Sequence, residues 1–241
     1  MGKIADPVVV ATEAGREYLA CYGEDLLSAV LYGSAVSADF DPRRSDVNLL
    51  LVLRRVSLEE LARSAAVQKR WLKQRVSRPL FLDPGYIDRS LDAFPIEFLN
   101  LKLRHRMLLG ADLLSPLVIR QDHLRLQIER ELKGKRLHLF QAWLDARESE
   151  KHLRELAAVS LRDFAALFRA LLHLRQIPVP DARAELFAAV EAAYDLQQQP
   201  FGALLRALQG KNRQVLTAAF APYADAVTRL AEIVDSTQTA G

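Results

Sequence analysis

The sequence predicts an α+β chain, with a small mixed-sheet domain over residues 1–118 followed by an all-helical bundle over 119–241. Three observations predict it. Two apolar runs, Leu26 to Tyr32 and Leu49 to Leu53, flank a Gly-Ser turn and a polar loop, the pattern of two strands and their connection. From Asp122 onward, apolar residues recur at helical spacing through long stretches with few breaks. Half of the 241 residues are hydrophobic and 26% are charged, ordinary for a globular chain long enough to bury a core in each part.

Residues 8–22 place Val9, Ala14, Tyr18 and Cys21 at helical spacing, and Gly23 is a suitable C-terminal stop. Cys21 reads as core; as the sole cysteine it leaves no internal disulfide, which fits a reducing compartment. Leu26 to Tyr32 forms the first strand and delivers Gly33 and Ser34 at its carboxyl end. Glycine permits close backbone approach there, and serine sets a small hydroxyl beside exposed amides that could hold a phosphate. The loop from Ser37 to Ser45 contains Asp39, Asp41, Pro42, Arg43 and Arg44, and reads either as a solvated connection or as a phosphate-facing lip. Asp46 to Leu53 predicts the second strand. Side chains alternate along it, so Asp46 and Asn48 point one way while Val47 and Leu49 enter the core. Its near-continuous apolar run predicts burial on both faces.

Ser57 with Glu60 three residues later makes a capping box that opens a helix to about Ser77, with Lys69, Arg70, Lys73 and Arg75 on a solvated basic face. Arg78 to Asp83 predicts a third strand, followed by a turn at Pro84-Gly85. Phe94 to Leu101 predicts another short strand. Glu97 lies there between Ile96 and Phe98, where it is costly to bury unless paired or metal-bound; the other reading is an edge-strand glutamate facing solvent. Lys102, Arg104, His105 and Arg106 read as phosphate-positioning cations or as a surface helix, and Gly110 to Leu114 marks a return to strand or loop. Helices are expected over 123–148, over 149–176 with Pro178 and Pro180 ending it, and over 181–196, 202–208 and 213–234. The last is broken or kinked at Pro222, and Ser236 to Gly241 forms a frayed tail.

A balance of 33 basic against 30 acidic residues, net charge +3, does not call for a nucleic-acid partner. No apolar run approaches the roughly 20 residues that span a bilayer, and the N-terminus lacks a secretion signal, so no membrane association is expected and a cytoplasmic location is the default. His105, His123 and His138 form no HExxH or Cys/His pairing, which leaves a zinc site without support. Neither a Walker-type Gly-Lys-Ser/Thr nor a Gly-x-Gly-x-x-Gly is present.

Gly33-Ser34 and Asp46-Val47-Asn48, in that order and set among apolar residues, resemble the motif of the nucleotidyltransferase superfamily, which includes the DNA polymerase beta-like and kanamycin nucleotidyltransferase-like proteins. The family pattern is an apolar residue, Gly-Ser, a spacer and Asp-x-Asp; here the second carboxylate is an asparagine. The resemblance is specific over residues 27–53, looser to 114, and architectural beyond. It implies Mg2+ held by Asp46, Asn48 and a third acid, with Asp46 and Glu97 as catalytic carboxylates and Asp83 in reserve for Glu97. It implies an NTP held by Gly33, Ser34, Arg43 and Arg44, and a bundle that shapes an acceptor pocket or a homodimer interface. Some toxin-like relatives of that bundle carry an arginine followed, after four to six residues, by a histidine for RNA cleavage. Arg147 and His152 fit that spacing and Arg169 and His173 do not, but one such pair is expected by chance in an arginine-rich chain.

The expected reaction is Mg-dependent transfer of a nucleoside monophosphate from an NTP to a small-molecule or protein hydroxyl. Asn48 keeps a carbonyl oxygen but removes one negative charge. Two unit charges about 4 Å apart interact by roughly 4 kcal/mol at an effective dielectric near 20, so the loss predicts an attenuated transferase. The alternative is a catalytically inactive homologue that serves as a nucleotide-binding or protein-interaction module.

Overall fold

The two apolar runs become neighbouring strands of one sheet in the computed structural model, which describes residues 3–237. β1 (Leu26–Tyr32) pairs antiparallel with β2 (Asn48–Leu53), and β2 carries β3 (Leu80–Leu82) in parallel on its far side. The other edge of β1 pairs antiparallel with β4 (His105–Gly110), giving a four-stranded mixed sheet in the order β3-β2-β1-β4. Leu49 through Leu53 are all fully buried, so both faces of β2 are covered, as its continuous apolar run requires.

α1 (Pro7–Tyr22) starts at Asp6, whose carboxylate accepts from the Val8 and Val9 amides, and stops at Gly23 with φ 57°. It buries Ala11, Ala14, Gly15, Tyr18 and Tyr22; the Tyr18 and Tyr22 rings each meet Phe81 edge-on at 6.2 Å. Val9 faces solvent rather than the core, and Cys21 is half-buried against it.

The helix expected from Ser57 to Ser77 is two helices, α2 (Leu58–Arg63) and α3 (Ala65–Leu72). The Ser57 hydroxyl caps the first by accepting from the Glu60 amide at 3.2 Å, but the Glu60 carboxylate turns to Arg63 instead of closing the capping box. The break falls at Ser64, whose buried hydroxyl accepts from Tyr22 at 2.8 Å. After Leu72 the chain turns through Arg75 at φ 64°, and Val76 then pairs with Val47 as an isolated parallel bridge. Arg75 is therefore buried, not part of a solvated basic face.

The expected turn at Pro84-Gly85 is the first turn of α4 (Pro84–Ser90). The strand expected over 94–101 is a helix, α5 (Pro95–Leu103). Its buried residues are Pro95, Ile96, Phe98, Leu99 and Leu101, at spacings of three that leave Glu97 outside. That helical spacing imitates alternation when only the residues flanking Glu97 are compared. Of the cations that follow, Lys102 lies in the last turn of α5 and Arg104 in the bend after it, while His105 and Arg106 open the edge strand β4, most of whose residues are half-buried. Gly110, at φ 77°, ends it; a Cβ there would lie 2.1 Å from the Leu27 carbonyl oxygen, so glycine is required.

The chain divides into two compact units, Met1–Asp92 with Phe98–Val118, and Ala93–Glu97 with Ile119–Gly241. The second unit is built from α6 (Gln121–Ala146), α7 (Glu150–Leu174), α8 (Arg183–Ala193), α9 (Pro200–Gln209) and α10 (Arg213–Ser236). Its centre is aromatic: Phe168 meets Phe201 at 4.5 Å, and Phe201 meets Tyr223 at 5.6 Å. Buried Glu191 on α8 accepts from the Phe201 and Gly202 amides at 2.7 and 2.9 Å, satisfying the free N–H groups that open α9. Burial raises its pKa. α10 runs unbroken past Pro222, contrary to the expected break. Buried Phe220 and Tyr223, with rings 6.4 Å apart, anchor it on either side of the proline, offsetting the lost ladder bond. Ser236 closes α10 and Thr237 caps it; the rest of the expected frayed tail, 238–241, lies outside the described residues. No helix among the described residues is long and apolar enough to cross a membrane.

Candidate functional site

β1 ends at Tyr32, directly opposite Asn48 at the start of β2, and Gly33 opens a tight 3-10 turn over Gly33–Val36. Gly33 has φ 79°, and a Cβ there would stand 3.0 Å from the Asn48 amide nitrogen. Glycine at this point both permits the turn and leaves Asn48 its place. The Ser34 carbonyl accepts from the Ser37 amide and hydroxyl, each at 3.0 Å, which closes the turn.

The polar loop is stitched by its own short side chains. The Ser45 hydroxyl accepts from the Asp41 amide at 3.0 Å, the Asp41 carbonyl from the Ser45 amide at 2.8 Å, and the Asp41 carboxylate from the Arg43 amide at 2.8 Å. Arg43 and Arg44 are exposed; the Arg44 side chain is 89% exposed with its guanidinium 4.0 Å from Asp41.

Two residues that the sequence reading placed outside the site complete it. Arg75, 9% exposed, donates from Nε to Asp46 Oδ1 at 3.4 Å, from Nη1 to the Pro42 carbonyl at 3.1 Å, and from Nη2 to the Ser45 carbonyl. One guanidinium thus ties down the loop and its terminal carboxylate together. Ser77 donates its hydroxyl to Asn48 Oδ1 at 2.6 Å. Both partners are brought in by backbone pairing: Val47 donates to the Arg75 carbonyl and accepts from Ser77, each at 2.9 Å. The pattern around residues 70–77 carries no local sign of this, because it depends on a bridge between Val47 and Val76 that is distant in sequence.

Asp46 precedes β2 rather than lying in it, and its side chain is 58% exposed; Asn48 is half-buried. The other two acids are engaged elsewhere. Asp83 is the N-cap of α4, accepting from the Tyr86 amide at 2.8 Å. Glu97, in the second unit, accepts from Gln127 Nε2 at 2.8 Å, while Gln127 Oε1 accepts from the Ile96 amide at 2.7 Å. Magnesium favours several hard, mostly anionic oxygens in an octahedron. This edge offers one carboxylate already beside a guanidinium and one neutral amide oxygen already bonded to a hydroxyl, and among the described residues no group of three or more His, Cys, Asp or Glu could hold a metal ion. The donors present do not fit a two-magnesium centre.

Of the cations at the start of β4, His105 turns inward. Its Nδ1 lies 2.9 Å from the Leu101 carbonyl and its Nε2 3.4 Å from Asp112. The Ser115 hydroxyl and the Ser115 and Leu114 amides all donate to Asp112, and they hold its carboxyl well below the usual carboxylate range.

No family model matches the chain, and no curated protein matches it. Among solved structures, the spectinomycin adenyltransferase AAD(9) from Enterococcus faecialis, with ATP and spectinomycin, is similar over 90% of this chain and 97% of that chain, with a TM-score of 0.53 and 12% sequence identity. A nucleotidyltransferase-like protein from Exiguobacterium sibiricum aligns over 95% of this chain and 81% of that chain, with a TM-score of 0.37 and 13% identity. The chain has a nucleotidyltransferase-like fold, with the mixed sheet and helical region expected of it.

Proposed function

We propose that this chain binds a nucleotide at the edge formed by Gly33, Ser34, Asp46 and Asn48, and that its capacity for nucleotidyl transfer is strongly attenuated. The observation that carries this reading is the state of the two motif side chains. Asp46 already has a cationic partner in Arg75, and Asn48, neutral and bonded to Ser77, stands where the family motif has a second carboxylate. Both oxygens serve the loop's own architecture, and an edge with little free negative charge suits a polyanion better than it suits a pair of divalent cations. The backbone of the Gly33 turn and the exposed Arg43 and Arg44 are the groups that would take the phosphates.

In this reading residues 1–118 form the nucleotide domain and residues 119–241 a helical bundle. The similar adenyltransferase was solved with ATP and spectinomycin, which supports an NTP and a small hydroxyl-bearing molecule as the pair to screen first.

Pyrophosphate release from ATP, GTP, CTP and UTP, with magnesium present, tests the attenuation. The native chain should release little, and Asn48→Asp, which restores the motif carboxylate beside Ser77, should release at least about tenfold more, since one charge at this range is worth a few kcal/mol. Equal rates from the two proteins would remove Asn48 as the cause.

A further inference from the structure

The helical unit holds a groove that the nucleotide reading leaves unused. It lies between α6 and α10, encloses about 440 Å³, and is walled by Leu139, Phe140, Trp143, Leu144 and Phe220, with Asp225 among its lining residues. That volume is in the range of small-molecule sites, and the composition is theirs too: apolar walls with few polar groups. Phe140 and Leu144 are left 40% and 62% exposed, although large apolar side chains gain by being covered. The groove is also remote from Glu97. Trp143 follows Gln127, the partner of Glu97, by sixteen residues on the same helix, about 24 Å at about 1.5 Å per residue.

One charged group gives the groove a chemical preference. Asp225 is exposed and forms no hydrogen bond or ion pair among the described residues, although Arg229 stands one turn further along α10. Arg147, which sits over the Trp143 ring at 5.7 Å, is itself paired with Glu148 at 3.2 Å.

We propose that this groove is a binding site for an amphiphilic organic cation, its apolar body against Phe140, Trp143, Leu144 and Phe220 and its positive charge facing Asp225. The site is independent of the nucleotide reading and can hold if that reading fails.

Berberine, a flat quaternary ammonium bearing ether oxygens, serves as the probe in a fluorescence titration of the full chain, beside the anionic dye anilinonaphthalene sulfonate. The native chain should bind berberine saturably. Asp225→Asn should weaken berberine about tenfold while leaving the anionic dye no weaker. Ala221→Trp, which fills the groove from an exposed position on α10, should abolish berberine binding. Thermal melts matching the native chain establish that both variants fold. The proposal fails if the native chain shows no saturable binding, if Asp225→Asn binds berberine as tightly as native, or if binding survives Ala221→Trp. It fails equally if light scattering finds a dimer that Leu144→Glu dissociates and that excludes the dye, since a second copy would then cover the groove.

Discussion

Arg75 Nε donates to Asp46 Oδ1 at 3.4 Å, and this contact joins the left-handed turn after α3 to the carboxylate that opens the second half of the motif. The same guanidinium holds the Pro42 and Ser45 carbonyls, so the site's loop is organised by a residue nearly thirty positions downstream. A non-glycine residue at φ 64° costs about 1 kcal/mol, which is sustained here by the bonds its side chain makes.

Replacing Arg75 separates these two terms. Arg75→Ala should lower stability by about 2–3 kcal/mol, because it strips the loop carbonyls of their buried charged donor. Arg75→Gly removes the same side chain but relaxes the left-handed backbone, and should recover about 1 kcal/mol of that loss. Urea unfolding of the two variants measures both. A loss below about 0.5 kcal/mol for Arg75→Ala would mean that the guanidinium does not hold the loop.

Gly33 is the second point where backbone geometry and site chemistry coincide. Gly33→Ala places a methyl group 3.0 Å from the Asn48 amide on a backbone of φ 79°. It should destabilise the chain by about 1–2 kcal/mol and weaken nucleotide binding, because both the turn and Asn48 must shift. An NTP affinity unchanged from native would place the nucleotide elsewhere.

The strands that position this edge are legible in the sequence because their residues are buried on both faces: Leu49 to Leu53 needs no context to read as a central strand. Gly33-Ser34 and Asp46-Val47-Asn48 are equally local. What is not legible depends on pairing between distant segments. Arg75 reads as one more cation on a basic helix until Val76 is known to bridge to Val47, and Ser77 reaches Asn48 by the same register. β4 is hidden for a different reason: it opens on His105 and exposed Arg106, and its apolar run, Met107 to Leu109, is too short to read as a strand without its partner. Glu97 is ambiguous locally, since the residues around it satisfy a strand over three positions and a helix over five.

Asp112 gives the chain a pH dependence of defined sign. Its pKa is held below the ordinary value, first by the Ser115 hydroxyl and then by the Ser115 amide, so folding favours its charged form. The stabilisation is complete above its unfolded value of about 3.9, and is lost as pH falls from there through the folded value. Asp112→Asn should therefore melt below native at pH 6, and the gap should narrow as pH drops below about 4. A gap that stays constant between pH 6 and pH 3 would assign the effect to hydrogen bonding alone.

The account's central claim is that the Gly33 to Asn48 edge holds a nucleotide without relying on a multiply anionic metal centre. Calorimetric titration of ATP, GTP, CTP and UTP, with and without magnesium, against the native chain, Asp46→Ala and Asn48→Asp tests it most directly. The account predicts that the native chain binds at least one of the four with an affinity that magnesium changes by less than about threefold, and that Asn48→Asp makes that affinity magnesium-dependent by about tenfold or more. Two results would contradict it: no binding of any of the four, or a native affinity that magnesium raises more than about tenfold and that Asp46→Ala abolishes.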